Sequence, residues 1–289
     1  MKFEPAPDPN PKTPRLALPR GAVDTHIHLF GPAAKFPFAA DSTYAAPDAL
    51  PETNIALQGR LGLSYAVIVS GGAYGRDYSV LADALARFPD RFRGIALMPE
   101  DTPDAEFARL TSLGVRGLRF ISAARGMRLP TISKEVAACA FAHGWHVQFY
   151  PFGDLVQYAD AVLALPNTIV LDHFAGVAAA GGVEQDAFRT LLRMLDTGRV
   201  WLKLSAPMRF SSRNFPYADM TPLARALVAH APERMLWGTD WPHVNMDGRP
   251  MVNDGDLVDL LAEWVPDAAT RKRILVDNPA MLYGFPSLE

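Results

Sequence analysis

Cysteine is nearly absent from this chain, and the single residue, Cys139, rules out an intrachain disulfide framework. A reducing cytoplasm suits that composition. Long apolar runs are also missing: none approaches the roughly 18 residues that a membrane span requires. No extended basic run occurs and the formal net charge is −3, which argues against nucleic acid or an acidic membrane surface as a partner. The N-terminus, MKFEPAPDPNPKTPRLALPRG, has charge and proline where a secretory signal needs an apolar core. What is present is ordinary globular material. With 49% hydrophobic and 20% charged residues in 289, the chain can fill one large core or two modest ones.

Residues 1–20 read as an extended arm, because proline blocks both helix and sheet pairing. Residues 21–289 read as one domain, without internal repeats or low-complexity segments. Eight short apolar runs recur along it: VDTHIH (23–28), YAVIVS (65–70), RGIALM (93–98), VRGLRF (115–120), HVQFY (146–150), TIVLDH (168–173), VWLKLS (200–205) and MLWGTD (235–240). Several are almost continuous in Val, Ile, Leu and Phe, the pattern of strands covered on both faces. Helical patterns separate them. YSVLADALARF places Val80, Leu81, Ala84, Leu85 and Phe88 on one stripe. Thr102-Pro103 and Thr221-Pro222 resemble an N-cap followed by proline in the first turn, and SKEVAACAFAHG ends on Gly144, a C-cap residue. Eight strands alternating with helices over roughly 250 residues predict a (β/α)8 TIM barrel. The loop from Phe30 to about Pro51, rich in proline and aromatics, is long enough to fold over the barrel mouth.

Barrels of this kind carry their chemistry at the C-terminal ends of the strands. Those ends hold His26 and His28 on strand one, Arg119 on strand four with Arg125 close behind, and Tyr150 on strand five. His173 closes strand six, Ser205 and then Arg209 follow strand seven, and Asp240, His243 and Asn245 follow strand eight. Alternate residues of a strand share a face, so His26 and His28 both point into the barrel, where His173 and Asp240 can join them. Three imidazoles and a carboxylate suit either one divalent ion or a polarised carbonyl beside a base. A lone His-x-His is a weak signal, and each of the four has a bland reading as a hydrogen-bonded core residue; their coincidence at strand ends favours a site. His143, His146 and His230 read as structural, and Cys139 reads as a core residue on an apolar helix stripe. Lys203 is mid-strand, compatible with an outward position between helices, and receives no role.

These residues give the chain its resemblance to the amidohydrolase superfamily, through the His-x-His of strand one, the His of strand six and the Asp in WGTDWPH. Within that superfamily it resembles the 2-pyrone-4,6-dicarboxylate hydrolase (lactonase) group from about residue 22 to 285. The segments that carry this are DTHIHLFGPAAKFPF, GVRGLRF, GWHVQFY, LDH, LKLSAPMRFS, LWGTDWPHVN and LVDNPAMLYGF. SSRNFPYAD and AHAPERMLWGT are similar to relatives acting on galactarolactone or 4-sulfomuconolactone. The resemblance implies an amidohydrolase-type barrel and a small carboxylated lactone as substrate. It places the substrate carboxylates on Arg119, Arg125, Tyr150 and Arg209, and the lactone carbonyl against His26, His28 and His173. Asp240 is then the general base, with His243 and Asn245 near the substrate. Planar guanidinium groups suit bidentate carboxylate binding. Strand five ends in HVQFY without a His, and strand four ends without a bridging Lys, so a binuclear centre lacks ligands. One zinc or manganese ion on His26, His28, His173 and Asp240, or metal-free catalysis by the same histidines, both remain open. Hydrolysis by water has an alternative in lactone isomerisation, where a substrate hydroxyl attacks. A non-catalytic organic-acid binding barrel needs the arginines but not Asp240. A monomer and a homo-oligomer are equally compatible with the sequence.

Overall fold

Parallel strands have to be joined by crossovers, and a helix follows each strand of this chain. The computed structural model describes residues 2–122, 132–286 and 288. Its strands are β1 (Val23–Ile27), β2 (Tyr65–Val69), β3 (Phe92–Ala96), β4 (Val115–Ile121), β5 (His146–Tyr150), β6 (Ile169–Leu171), β7 (Val200–Ser205) and β8 (Met235–Gly238). Each pairs in parallel with the next. The ring closes just beyond β8: Asp240 N donates to His26 O at 2.9 Å, and His28 N to Trp241 O at 2.7 Å. Closure needs Gly238, because a Cβ there would stand 2.7 Å from His26 N. The helices that follow the strands are α1 (Pro51–Leu61), α2 (Ser79–Arg87), α3 (Asp104–Leu113), α4 (Lys134–Ala142), α5 (Leu155–Leu163), α6 (Asp186–Asp196) and α7 (Thr221–His230), which cross to the next strand, and α8 (Asp254–Trp264), which comes after the last. This is the expected (β/α)8 barrel. Among the described residues no helix is long and apolar enough to cross a membrane.

Strand parity explains what lies inside. On β5, Val147 and Phe149 pack outward with the helices, while Gln148 and Tyr150 take the other face; on β7, Leu202 and Leu204 pack outward. Lys203 therefore faces inward, on the side of Trp201 and Ser205, and it is completely buried. This corrects the outward position: a residue two before an inward Ser205 must share its face. Cys139 needs a second correction. It is exposed, because α4 covers the barrel with Val136, Ala137 and Ala140. The small residues of AACAFA are apolar on every side, so their pattern did not single out the buried face.

Boundaries moved by one or two residues where chemistry begins. β6 stops at Leu171, since His173, Phe174 and Ala175 adopt positive φ, which no strand accommodates. α3 starts after Pro103, with Thr102 Oγ1 donating to Pro99 O at 2.7 Å; in α7, Thr221 is already helical. His143 follows α4, and Gly144 next to it takes φ +73. The arm is irregular over most of its length and runs beside α8, where Lys12 pairs with Asp256 at 2.7 Å and Arg15 with Asp259 at 3.0 Å. Before its first proline it forms a two-residue strand, Lys2–Phe3, parallel to Tyr44–Ala45 of the loop over the mouth.

Candidate active site

β1 carries one extra residue against β2 between Asp24 and Ile27, in the stretch that holds His26. His26 and His28 meet edge to face with ring centroids 5.0 Å apart, and His173 lies 4.4 Å from His26. Their Nε2 atoms stand 3.7, 3.4 and 3.6 Å from Asp240 Oδ1 for His26, His28 and His173 respectively. The opposite ring nitrogens are all engaged. His28 Nδ1 is 2.8 Å from Val69 O, His26 Nδ1 is 3.2 Å from Asp172 Oδ1, and His173 Nδ1 is 2.8 Å from Ser205 Oγ. A carbonyl oxygen can only accept, so His28 Nδ1 donates, whereas His26 Nδ1 faces both the Asp172 carboxylate and, at 3.4 Å, the Lys203 ammonium, which ask opposite tautomers of it. With Nδ1 donating, a neutral His28 offers the lone pair of Nε2 to an anionic oxygen. Neither His26 Nε2 nor Asp240 Oδ1 has a hydrogen-bond partner, although both are buried. Acceptors facing acceptors in a buried space call for a proton or a cation between them.

The ionisation states agree. Burial holds the His26 imidazole well below its ordinary pKa, and Asp172 only partly opposes this. Burial also lowers His173, to about 4, against the pull of Asp240. For Asp240, burial alone would raise the pKa, but Arg209 and the histidines outweigh it and hold the carboxyl well below its usual range. Arg209 grips Asp240 Oδ2 with Nη2 at 2.7 Å and Nε at 3.1 Å. It is thus engaged with Asp240 before any substrate carboxylate arrives.

Above this cluster opens a cavity of about 290 Å³. His28, His173, Asp240, Arg119, Arg209, Tyr150 and Asn245 line it, so seven of the expected residues share one chamber. His26 sits directly behind them with no exposure. Tyr150 stands edge-on to His173 at 4.8 Å and stacks on Phe152 at 4.0 Å. Thr43 and Tyr44 of the long loop also face the cavity, so that loop does reach the mouth. His243 is the exception: it is buried away from the cavity, with Nε2 3.0 Å from Asp254 Oδ1 at the start of α8. Its φ is +65, and it is not among the side chains that line the cavity. Arg125 lies outside the described residues.

The amidohydrolase family model matches residues 23–285. The chain belongs to that family. This amidohydrolase is 39% identical over 278 residues to the 4-sulfomuconolactone hydrolase of Rhizobium radiobacter, covering 93% of this chain and 92% of that one. It is 37% identical over 286 residues to the 2-pyrone-4,6-dicarboxylate hydrolase of Comamonas testosteroni, covering 95% and 93%. Among solved structures, the apo form of Agrobacterium tumefaciens ATU3138 superposes with a TM-score of 0.82 at 29% identity, over 95% of this chain and all of that one.

Among the described residues of this amidohydrolase two groups of buried side chains have metal-ligand spacing, and they share His26. One is His26, His28 and Asp240; the other is His26, Asp172 and His173. The first contains the unpartnered His26 Nε2 and Asp240 Oδ1, so its donor set fits a divalent ion. The second already has a cation beside it: Lys203 Nζ is 3.5 Å from Asp172 Oδ1 and 3.4 Å from His26 Nδ1. Burial lowers the Lys203 pKa to about 8, with Asp172 pulling the other way.

Three residues of this arrangement had no place in the sequence reading. Asp172 anchors His26 and accepts from Gln148 Nε2 at 3.1 Å and Arg119 Nη2 at 3.3 Å. Lys203 donates to Gln148 Oε1 at 2.7 Å. Asp24 ties β1 to β8 by accepting from Thr239 Oγ1 at 2.6 Å and Thr239 N at 3.0 Å, and burial lifts its pKa to about 7 against those hydrogen bonds. The signal for Asp172 was its place next to His173 at a strand end. For Lys203 it was strand parity.

Proposed function

We propose that this protein hydrolyses a small lactone carrying carboxylate or similar anionic groups. The observation that carries the reading is the convergence of three imidazole Nε2 atoms on Asp240 Oδ1 at the floor of an arginine-lined cavity. The named activities of the sulfomuconolactone and pyrone-dicarboxylate relatives support it. We read residues 21–289 as the catalytic barrel and residues 1–20 as an arm laid against it.

His26, His28 and Asp240, with His173 beside them, would hold one divalent ion such as zinc or manganese. When bound, that ion would act as a Lewis acid toward the lactone carbonyl and lower the pKa of the attacking water. The His28 tautomer favours this over catalysis by that histidine alone, since a lone pair on its Nε2 cannot donate to a developing oxyanion. Arg119 is fixed by Ser70 O at 2.6 Å and by Asp172, and it presents a placed cation to a substrate carboxylate. A carboxylate reaching Arg209 competes with Asp240 for the same guanidinium. That exchange frees Asp240 and raises its basicity when substrate is present. Asp240 then takes a proton from water as the water oxygen bonds to the carbonyl carbon. The ring C–O bond breaks, and the proton passes to the leaving ring oxygen, so the balance is one water added per ring opened.

The test is turnover of 2-pyrone-4,6-dicarboxylate or 4-sulfomuconolactone in ¹⁸O-water. Hydrolysis puts one solvent oxygen in the product carboxylate, whereas attack by a substrate hydroxyl, giving an isomer, puts none. Asp240→Asn should lose about 10²–10⁴-fold in kcat and still bind substrate. Wild-type turnover by that variant would defeat the mechanism.

A further inference from the structure

The segment after β8 carries Asp240 and Asn245 to the cavity in a conformation that needs support. Asp240, His243, Asn245 and Asp247 all have positive φ, a region that residues with side chains occupy only where their surroundings hold them. From inside the barrel that support is Arg209, whose Nη2 donates to Val244 O at 2.8 Å and Nη1 to Asn245 O at 3.4 Å. From outside it is Glu4, on the N-terminal arm. The Glu4 side chain is wholly buried, and its Oε2 accepts the Asn245 N–H at 3.0 Å.

Glu4 is itself fixed by strand pairing. Lys2 N donates to Thr43 O and Glu4 N to Ala45 O, each at 2.9 Å, and Thr43 lines the same cavity. Lys2 Nζ lies 3.1 Å from Glu4 Oε1 and 3.7 Å from Asp247 Oδ1. One residue therefore joins the arm to both loops, its backbone N–H to the loop over the mouth and its carboxylate to the loop after β8. An apolar side chain would fill that space without the cost of burying a charge, but it would leave the Asn245 N–H unpaired. The backbone it supports is the backbone that holds Arg209, and Arg209 holds Asp240.

We propose that Glu4 is a positioning residue for the anion-binding end of the site, acting through the 244–245 backbone on Arg209. The proposal rests on the reading of the substrate as a carboxylated lactone. It is tested with Glu4→Leu, Glu4→Gln and Glu4→Asp in the full chain. The measurements are KM and kcat on whichever of the two lactones the wild type opens, citrate affinity by calorimetry as a tricarboxylate probe, and melting temperature. Glu4→Leu should raise KM and the citrate Kd about tenfold, the scale of one buried donor left unpaired, with kcat changed far less. Glu4→Gln keeps an oxygen at the same reach and should recover most of the wild-type KM. Glu4→Asp keeps the charge but falls one methylene short, and should raise KM severalfold.

An unchanged KM and citrate affinity in Glu4→Leu would overturn the proposal, as would Asp restoring binding better than Gln. A lower melting temperature with no change in KM would also count against it, because that is what a purely structural role produces. If Glu4→Leu does not fold, the order of Gln and Asp decides. If the wild type binds citrate but opens neither lactone, the functional reading fails, and the citrate series still decides the role of Glu4.

Discussion

Asp172→Asn probes the buried network behind His26 most directly. The carboxylate is fully buried, and four nitrogens surround it: His26 Nδ1 at 3.2 Å and Lys203 Nζ at 3.5 Å from Oδ1, with Gln148 Nε2 at 3.1 Å and Arg119 Nη2 at 3.3 Å donating to Oδ2. Burial alone would raise its pKa, but His26, Lys203 and Arg119 prevail and hold it well below the usual carboxylate range. Asn keeps the shape, removes the charge and turns one acceptor into a donor that faces donors. Lys203 then stays buried with Gln148 Oε1 at 2.7 Å as its close acceptor. Removing one partner of a buried ion pair costs about 3–5 kcal/mol, a large part of a total stability of about 5–15 kcal/mol. At about 2–4 °C per kcal/mol for a large domain, the melting temperature should fall on the order of 10 °C. Adding Lys203→Met should recover much of that loss, since the stranded charge is then gone.

The pH dependence of this network has a definite sign. The folded pKa of Asp172 lies below its unfolded value of about 3.9. Its contribution is therefore complete above that value and is lost as pH falls through the folded pKa, so wild type and Asp172→Asn converge in strong acid. Thermal and urea unfolding of the single and double variants, from neutral pH downward, reads all of this. A loss below about 1 kcal/mol at neutral pH, or a double variant no more stable than Asp172→Asn, would refute the coupled ionic network.

Arg209→Met should raise KM for a charged lactone about 10- to 150-fold, the equivalent of a charge-assisted contact of about 1.5–3 kcal/mol, and leave a neutral ester analogue much less affected. The same change should move the acid limb of the kcat/KM profile, which reports the free enzyme, to higher pH, because Asp240 loses the cation that depresses it; equal KM penalties on both substrates would remove Arg209 from the carboxylate site. Elemental analysis should find one divalent ion per chain, with activity lost on chelation and restored by one equivalent. Two ions per chain would mean that the Asp172 group also binds metal despite Lys203. His243→Phe should leave KM within about twofold and cost about 1–3 kcal/mol of stability, because it strands the buried Asp254 carboxylate. A large KM rise at unchanged stability would instead place His243 against the substrate.

How far the site could be read from sequence varied with the kind of question. The strand-end residues were legible because β periodicity is local: His26 and His28 two apart, and Tyr150, Ser205 and Asp240 each at the end of an apolar run. Parity also contained the inward position of Lys203, although an isolated lysine in an apolar strand gave no reason to apply it. Cys139 was misplaced because its helix offers small apolar residues all round. His243 follows Asp240 closely in sequence, yet its ring meets Asp254 at the start of α8, a contact made between residues eleven apart.

The amino-acid sequence by itself determined the barrel, the order of its strands and the set of polar groups at its C-terminal rim. Those follow from the alternation of apolar runs with helical stripes, which each segment carries within itself. Tertiary structure alone decided which atom meets which. It set Arg209 against Asp240, Asp172 between His26, Arg119, Gln148 and Lys203, and Glu4 under Asn245 from 241 residues away. Periodicity fixes the face a side chain takes. Its partner depends on how distant segments close the ring, and so does the ionisation state that makes the group useful, because the partners set the balance between burial and charge.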